Sequence, residues 1–269
     1  MRTLASPMHG QVLPCGRCMA CRIQKTNEWT IRMEHELEYH KDSCFLTLTY
    51  DDEHIPINYS LVKKDISGFF KRLRNYVYYR IRYYYVGEYG DKTLRPHYHA
   101  IIFGWYPKEI KFATEKNGRK MYYSPLIEKI WKEGQNIVGV VQHESISYVA
   151  GYIRKKLYGK KADEVYQGNE HPFAVMSKGI GKQYALEHKE QILKDLGIRR
   201  FGKVIGLPRY YARLLKIPNH LLLSKSWNRD ADLIQYYGTE GLHERVVNDR
   251  KKRASDIKAR TQLFNRSEL

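Results

Sequence analysis

Two histidines one residue apart, His97 and His99, sit in the stretch Arg95-Pro-His-Tyr-His-Ala-Ile-Ile-Phe-Gly104. After the proline this stretch reads as a strand. Side chains alternate faces at period two there, so His97, His99, Ile101 and Phe103 share one side. Neutral imidazole is a good ligand for a divalent metal, and two rings on rigid backbone need one carboxylate to close a facial site. Glu88 is the expected third ligand. It ends the apolar and aromatic run Ile81 to Val86, and the turn-rich link Tyr89 to Arg95 folds that run back beside the histidine strand. The pair alone is also what hydrogen-bonded histidines on an edge strand would show.

A second constellation lies in Ser145-Ile-Ser-Tyr148-Val-Ala-Gly-Tyr152-Ile-Arg-Lys155-Lys156-Leu157. Ile146, Val149, Ala150, Ile153 and Leu157 form a core stripe at helical spacing, and Tyr148 and Tyr152 fall one turn apart on a different face. A phenol is a weak nucleophile near its ordinary pKa of about 10, so attack on a phosphodiester needs a nearby metal or lysine to favour the phenolate. Lys155 and Lys156 follow on the same helix. A third cluster, Cys15, Cys18 and Cys21, has spacing that can hold a structural zinc, with a fourth ligand from Cys44, His9 or His35; the alternative is reduced thiols packed at the start of a helix.

The elements that must carry these residues are legible in outline. A loosely helical pattern runs from Lys25 to His40. Cys44 to Tyr50 reads as a buried strand. Ser60 is placed to cap a helix whose stripe is Leu61, Ile66, Phe69, Phe70, Leu73 and Val77. Residues 105–135 look inserted, with a hairpin turn at Lys116-Asn-Gly-Arg119 and Ser124-Pro125 opening a short helix. Ile137 to Val141 is a further strand. Gly159 to Gly181 is polar and glycine-rich and fits a mobile loop. Gln183 to Leu196 is helical in pattern, Gly197 to Gly206 a hairpin, and Pro208 starts another helix. The succession predicts an α+β fold, a mostly antiparallel sheet covered by helices on one face.

Composition narrows the partner. Forty-seven Lys and Arg against twenty-nine Asp and Glu leave a net charge of +18 over 269 residues, which points to a polyanion. Twenty-three tyrosines against eight phenylalanines suit stacking on unpaired bases. No run approaches membrane-spanning length and no signal-peptide core is visible, so no membrane partner is expected and a reducing cytoplasm is the expected setting, to which four scattered cysteines conform.

An acidic residue, a His-x-His strand and a later helix with paired tyrosines, in that order, resemble the HUH endonuclease superfamily. The flanking text, Pro14-Cys-Gly-Arg-Cys18, Phe45 to His54, Gly87 to Asp91, Arg95 to Ala100 and Tyr148 to Lys156, is similar to the replication initiators of microviruses of the gokushovirus branch over most of residues 12 to 216. Met176-Ser-Lys-Gly-Ile-Gly181 and Pro208-Arg-Tyr-Tyr-Ala-Arg-Leu-Leu215 continue the likeness, although Lys178 stands where the family pattern has proline. The resemblance implies an HUH fold with a ferredoxin- or RRM-like central sheet. It also implies rolling-circle nicking of single-stranded origin DNA in the host cytoplasm, with a 5'-phosphotyrosine link, a free 3'-hydroxyl primer and later rejoining. Mg²⁺ or Mn²⁺ would be held by His97, His99 and Glu88, the tyrosines would alternate as nucleophiles, and Lys156 or Lys155 would stabilise the phenolate or leaving oxygen. A host helicase and polymerase would be partners. The expected organisation is an N-terminal cysteine-containing helical segment (1–43), the nuclease core (44–158), a DNA-proximal part (159–216) and a charged tail (217–269). The competing readings are a non-catalytic single-stranded nucleic-acid binder and a plasmid- or transposon-type HUH nuclease.

Overall fold

The computed structural model describes residues 3–5, 12–90, 93–116, 118–155 and 160–222, with isolated positions between 235 and 256. The charged tail, including most of the basic run Arg250 to Arg253, lies outside the described residues. A short ladder of β1 (Thr3–Ala5) and β2 (Val12–Pro14) leads into the long helix α1 (Met19–Leu37). There follow β3 (Ser43–Tyr50), α2 (Lys63–Val77), β4 (Arg82–Tyr89) and β5 (Pro96–Phe103). Next come β6 (Lys111–Lys116), β7 (Arg119–Tyr123), α3 (Pro125–Trp131), β8 (Gly134–Val140) and α4 (His143–Lys155). The described chain then forms α5 (Lys160–Tyr166), β9 (Phe173–Met176), α6 (Lys182–Glu187) and α7 (Lys189–Asp195), then the hairpin β10 (Ile198–Arg200) and β11 (Lys203–Ile205), and α8 (Arg209–Leu214).

Seven strands form one sheet in the order β6-β7-β8-β3-β5-β4-β9, every neighbouring pair antiparallel. The fold is α+β, as the sequence predicts, but helices cover both faces rather than one. On β3, Cys44, Leu46, Leu48 and Tyr50 point to the face packed by α2 and α3, with Phe69, Phe70, Leu73, Ile127 and Trp131 in the same core. Burying each such large side chain contributes about 1.5–3 kcal/mol, enough to seat an amphipathic helix of this length. The opposite face gathers Tyr84, Val86, Ile101 and Phe103 against Met33 of α1 and Ile146, Val149 and Ala150 of α4.

Three local expectations change. Ser60 does not cap α2: the helix starts two residues later with Val62 at its N-cap and no side-chain cap, while the Ser60 hydroxyl accepts from the Glu170 amide at 3.0 Å. A long-range partner has outcompeted the local one. The stretch read as inserted belongs to the sheet, since β7 pairs with β8. The segment read as a mobile loop contains an edge strand, β9, bonded along β4, and its end is clamped: Arg32 Nε donates to the Ile180 carbonyl at 3.1 Å and the Gly181 amide to Glu36 Oε2 at 2.7 Å. Gly181 has φ +74°, and a Cβ there would lie 2.2 Å from the Tyr211 hydroxyl, so the loop needs glycine with or without a preceding proline. The chain divides into two compact units. The first holds the seven-stranded sheet; the second, among the described residues, holds the β10-β11 hairpin, where buried Ile198 is found.

Candidate active site

The β4-β5 hairpin pairs Glu88 with His97 and Val86 with His99. Glu88 Oε1 lies 2.8 Å from His97 Nε2 and 3.1 Å from His99 Nε2, so both rings aim at one carboxylate oxygen. The rings are fixed from behind. His97 Nδ1 is 3.0 Å from the Arg95 carbonyl, which can only accept, so Nδ1 carries the proton and a neutral ring presents a bare Nε2 to Glu88. His99 Nδ1 is 2.9 Å from the Thr47 hydroxyl on β3. Burial alone would push the Glu88 carboxyl up, yet hydrogen bonds with His97 and then His99 outweigh it and hold it below the usual range.

Two acceptors facing each other at hydrogen-bond distance require a proton or a cation between them. Hence the donor set, two imidazole nitrogens and one carboxylate oxygen all within 4.8 Å of one another, fits a divalent cation such as Mg²⁺ or Mn²⁺. His99 is buried and His97 partly exposed, which leaves one side of such an ion open.

The tyrosine helix α4 covers this same patch. The Tyr152 ring stacks on His99 with centroids 5.6 Å apart and planes 8° from parallel, while Tyr148 meets His99 edge-on at 5.2 Å. The two tyrosine rings are 5.0 Å apart, and Phe45 of β3 packs against both His99 and Tyr148. The tyrosines are not off the core, as their spacing against the apolar stripe implies. Tyr152 is 6% exposed and part of the apolar cluster, because α4 is bounded by the sheet and also by α1, to which Thr26 Oγ1 bonds at the Ala150 carbonyl (3.3 Å). Helix-stripe reasoning allows for one packed face; α4 has two.

Lys155 ends α4, and its side chain, like Lys156 and Leu157, lies outside the described residues. A lysine the sequence reading passes over is described: Lys25 of α1 lines a cleft of about 150 Å³ with Trp29, Gly87, Tyr152, Ile153 and Phe173. Only its place on α1, one side of a helix that meets α4, makes it part of this neighbourhood, and no local pattern signals that.

The three cysteines also converge, with their sulfurs within 4.8 Å of one another. Two of the fourth ligands considered for them are elsewhere. Cys44 is fully buried in β3 on the face of α2, and His35 is held by the Tyr211 hydroxyl at 3.0 Å and by stacking on Tyr184. His9 lies outside the described residues.

Comparison with known proteins gives a consistent answer. The family described as replication-associated protein ORF2 matches residues 43–157. The chain is 37% identical over 212 residues to the replication-associated protein VP4 of Bdellovibrio phage phiMH2K, covering 74% of this chain and 65% of that one. It is 34% identical to replication-associated protein ORF2 of Spiroplasma virus 4, covering 76% and 68%, and 34% identical to replication-associated protein ORF4 of Chlamydia phage 1, covering 76% and 53%. The matched chain thus spans between half and about two thirds of its relatives' lengths. No solved structure matches it. Similarity of this extent to proteins that share one description settles the family: the chain belongs to the replication-associated proteins of bacteriophages.

Proposed function

We propose that the protein initiates rolling-circle replication of a small single-stranded phage genome by nicking origin DNA through tyrosine attack. The observation that carries this reading is the packing of both tyrosines on His99, a ring that also points at Glu88. A nucleophile pair and a cation-ligand set built onto one imidazole have no purpose in a binding platform, whereas transesterification needs both within one phosphate's reach.

Glu88, His97 and His99 would hold Mg²⁺ or Mn²⁺. Such an ion supplies charge neutralisation at a non-bridging phosphate oxygen. Tyr148 or Tyr152 loses its phenolic proton to solvent and its oxygen attacks phosphorus in line; the P–O3' bond breaks, leaving a 5'-phosphotyrosyl link, and the departing 3'-oxygen takes up a proton. The second tyrosine, one helical turn away, resolves the link after a round of synthesis by the same exchange, so the circle closes without release of the protein. Lys25 of α1 stands on the wall of the cleft with Tyr152 and favours the phenolate and the incoming phosphate, a role for which Lys155 and Lys156 remain candidates from the sequence. Trp29 and Phe173 of the same cleft offer faces for an unpaired base. The freed 3'-hydroxyl primes a host polymerase, with a host helicase opening the duplex in the host cytoplasm.

The test is incubation of the protein with single-stranded DNA carrying the origin of its phage and Mn²⁺, followed by a denaturing gel that retains covalent adducts. An adduct that disappears on chelation and in the His97→Ala/His99→Ala variant is the expected result. Persistence of the adduct in the Tyr148→Phe/Tyr152→Phe variant overturns the assignment of the nucleophiles. Salt-sensitive binding without adduct under any divalent metal overturns the nicking activity itself.

A further inference from the structure

We infer that Cys15, Cys18 and Cys21 hold a structural Zn²⁺ that fastens the start of α1 and so fixes one wall of the tyrosine cleft. The inference is independent of the nicking chemistry. Cys18 is the N-cap of α1 and Cys21 lies three residues on, so their side chains share a face of the first turn, with sulfurs 3.4 Å apart. Cys15 is brought back to them by Gly16, whose φ of +71° turns the chain sharply. The Cys18 amide then donates to the Cys15 sulfur at 3.2 Å. An amide hydrogen bond of this kind orients a thiolate ligand from outside the coordination shell. Tetrahedral zinc with Zn–S bonds near 2.3 Å places its sulfurs about 3.8 Å apart. The observed separations, from 3.4 Å to within 4.8 Å, bracket that value.

A contrast within the chain argues against plain packing. Buried reduced cysteine behaves as a small hydrophobe, and Cys44 does so in β3 at 0% exposure. The other three are partly exposed and free, and they crowd one another rather than the core. Three thiols so placed stabilise nothing by burial, whereas one bound cation would offset their mutual repulsion as thiolates and tie three points of chain together. The mechanical consequence falls on α1. Lys25, one turn beyond Cys21, and Trp29, two turns beyond, line the cleft beside Tyr152, and Thr26 bonds to α4.

The experiment uses the full chain purified under reducing conditions with Zn²⁺ and dialysed. Elemental analysis is expected to find about one zinc per chain that survives in His97→Ala/His99→Ala and is lost in Cys15→Ser/Cys18→Ser/Cys21→Ser. Because the triple variant could fail to fold, a second measurement uses the wild-type chain. Replacement of zinc by Co²⁺ is expected to give the intense near-ultraviolet absorption of thiolate-to-cobalt charge transfer, which nitrogen and oxygen ligands do not give. Zinc-free protein whose three thiols all react with a thiol reagent in the native state overturns the inference. So does bound zinc that the histidine variant loses and the cobalt spectrum shows to lack sulfur.

Discussion

Tyr98 and His99 are neighbours in β5 and point to opposite sides of the sheet, where polar groups are treated differently. On the α2 side the Tyr98 hydroxyl donates to the Val62 carbonyl and accepts from the Val62 amide, both at 2.9 Å, and lies 2.8 Å from the Tyr50 hydroxyl, which donates to Asp65. The groups complete one another within the fold. On the α4 side His97 and His99 converge on a single carboxylate oxygen, and two phenols lie over one of the rings. That face is arranged for something that arrives. The same strand therefore stabilises through one set of alternate residues and exposes chemistry through the other, and substitutions on the two sides should separate folding from function.

The largest separation is expected from His97→Ala/His99→Ala. The several kcal/mol that a bound cation contributes to charge stabilisation corresponds to about 10³-fold in rate. Adduct formation should fall by at least about that factor while the far-ultraviolet circular dichroism stays that of the folded chain. Trp131→Ala acts from the other side. Trp131 is fully buried against Phe69, Tyr50 and Tyr98, and its indole N–H donates to the Thr49 carbonyl at 3.1 Å. Its loss should cost about 3–5 kcal/mol in urea unfolding, with metal affinity of the folded fraction unchanged.

Glu36 of α1 gives a pH test. Burial would push its carboxyl up, but the hydrogen bonds from His40 and the Gly181 amide and the Arg82 guanidinium hold it below the usual range. A depressed folded pKa stabilises above the unfolded value, near 4.5, and that stability is lost as pH falls through the folded value. Glu36→Gln should therefore flatten the acid limb of a stability profile below about pH 4.5 and cost about 1.5–3 kcal/mol at neutral pH, the scale of a charged hydrogen bond. The smallest effect belongs to Thr47→Val, which frees His99 Nδ1. Metal affinity should drop about 10–100-fold by calorimetry, with thermal stability little changed. A Thr47→Val protein that binds metal normally but melts early would assign the Thr47 contact to the scaffold instead.

What was legible in the sequence follows from distance along the chain. Glu88, His97 and His99 could be placed together because a short link joins β4 to β5 and register does the rest. The helix with Tyr148 and Tyr152 was readable from its period, but its burial on two sides was not, since that depends on α1, more than a hundred residues earlier. Lys25 and Trp29 entered the neighbourhood for the same reason. The edge strand β9 escaped because four residues between polar flanks carry almost no period, and pairing with β4 alone defines it. The Pro208 motif had no assigned purpose in the sequence. In the structure its Tyr210 lies under the Arg32 guanidinium at 4.0 Å and its Tyr211 reaches His35, so it braces α1 rather than touching the site.

The histidine strand is the fifth of seven, with hydrogen-bonded neighbours on both sides. Its amides can exchange with deuterated solvent only when the sheet itself opens, whereas the β6-β7 ribbon at the rim exchanges through its own fraying. Labelling should leave His97 to Phe103 among the last protons to go. The ligand spacing then survives thermal agitation that loosens the periphery, and the two imidazoles keep their aim at Glu88 until the whole unit melts.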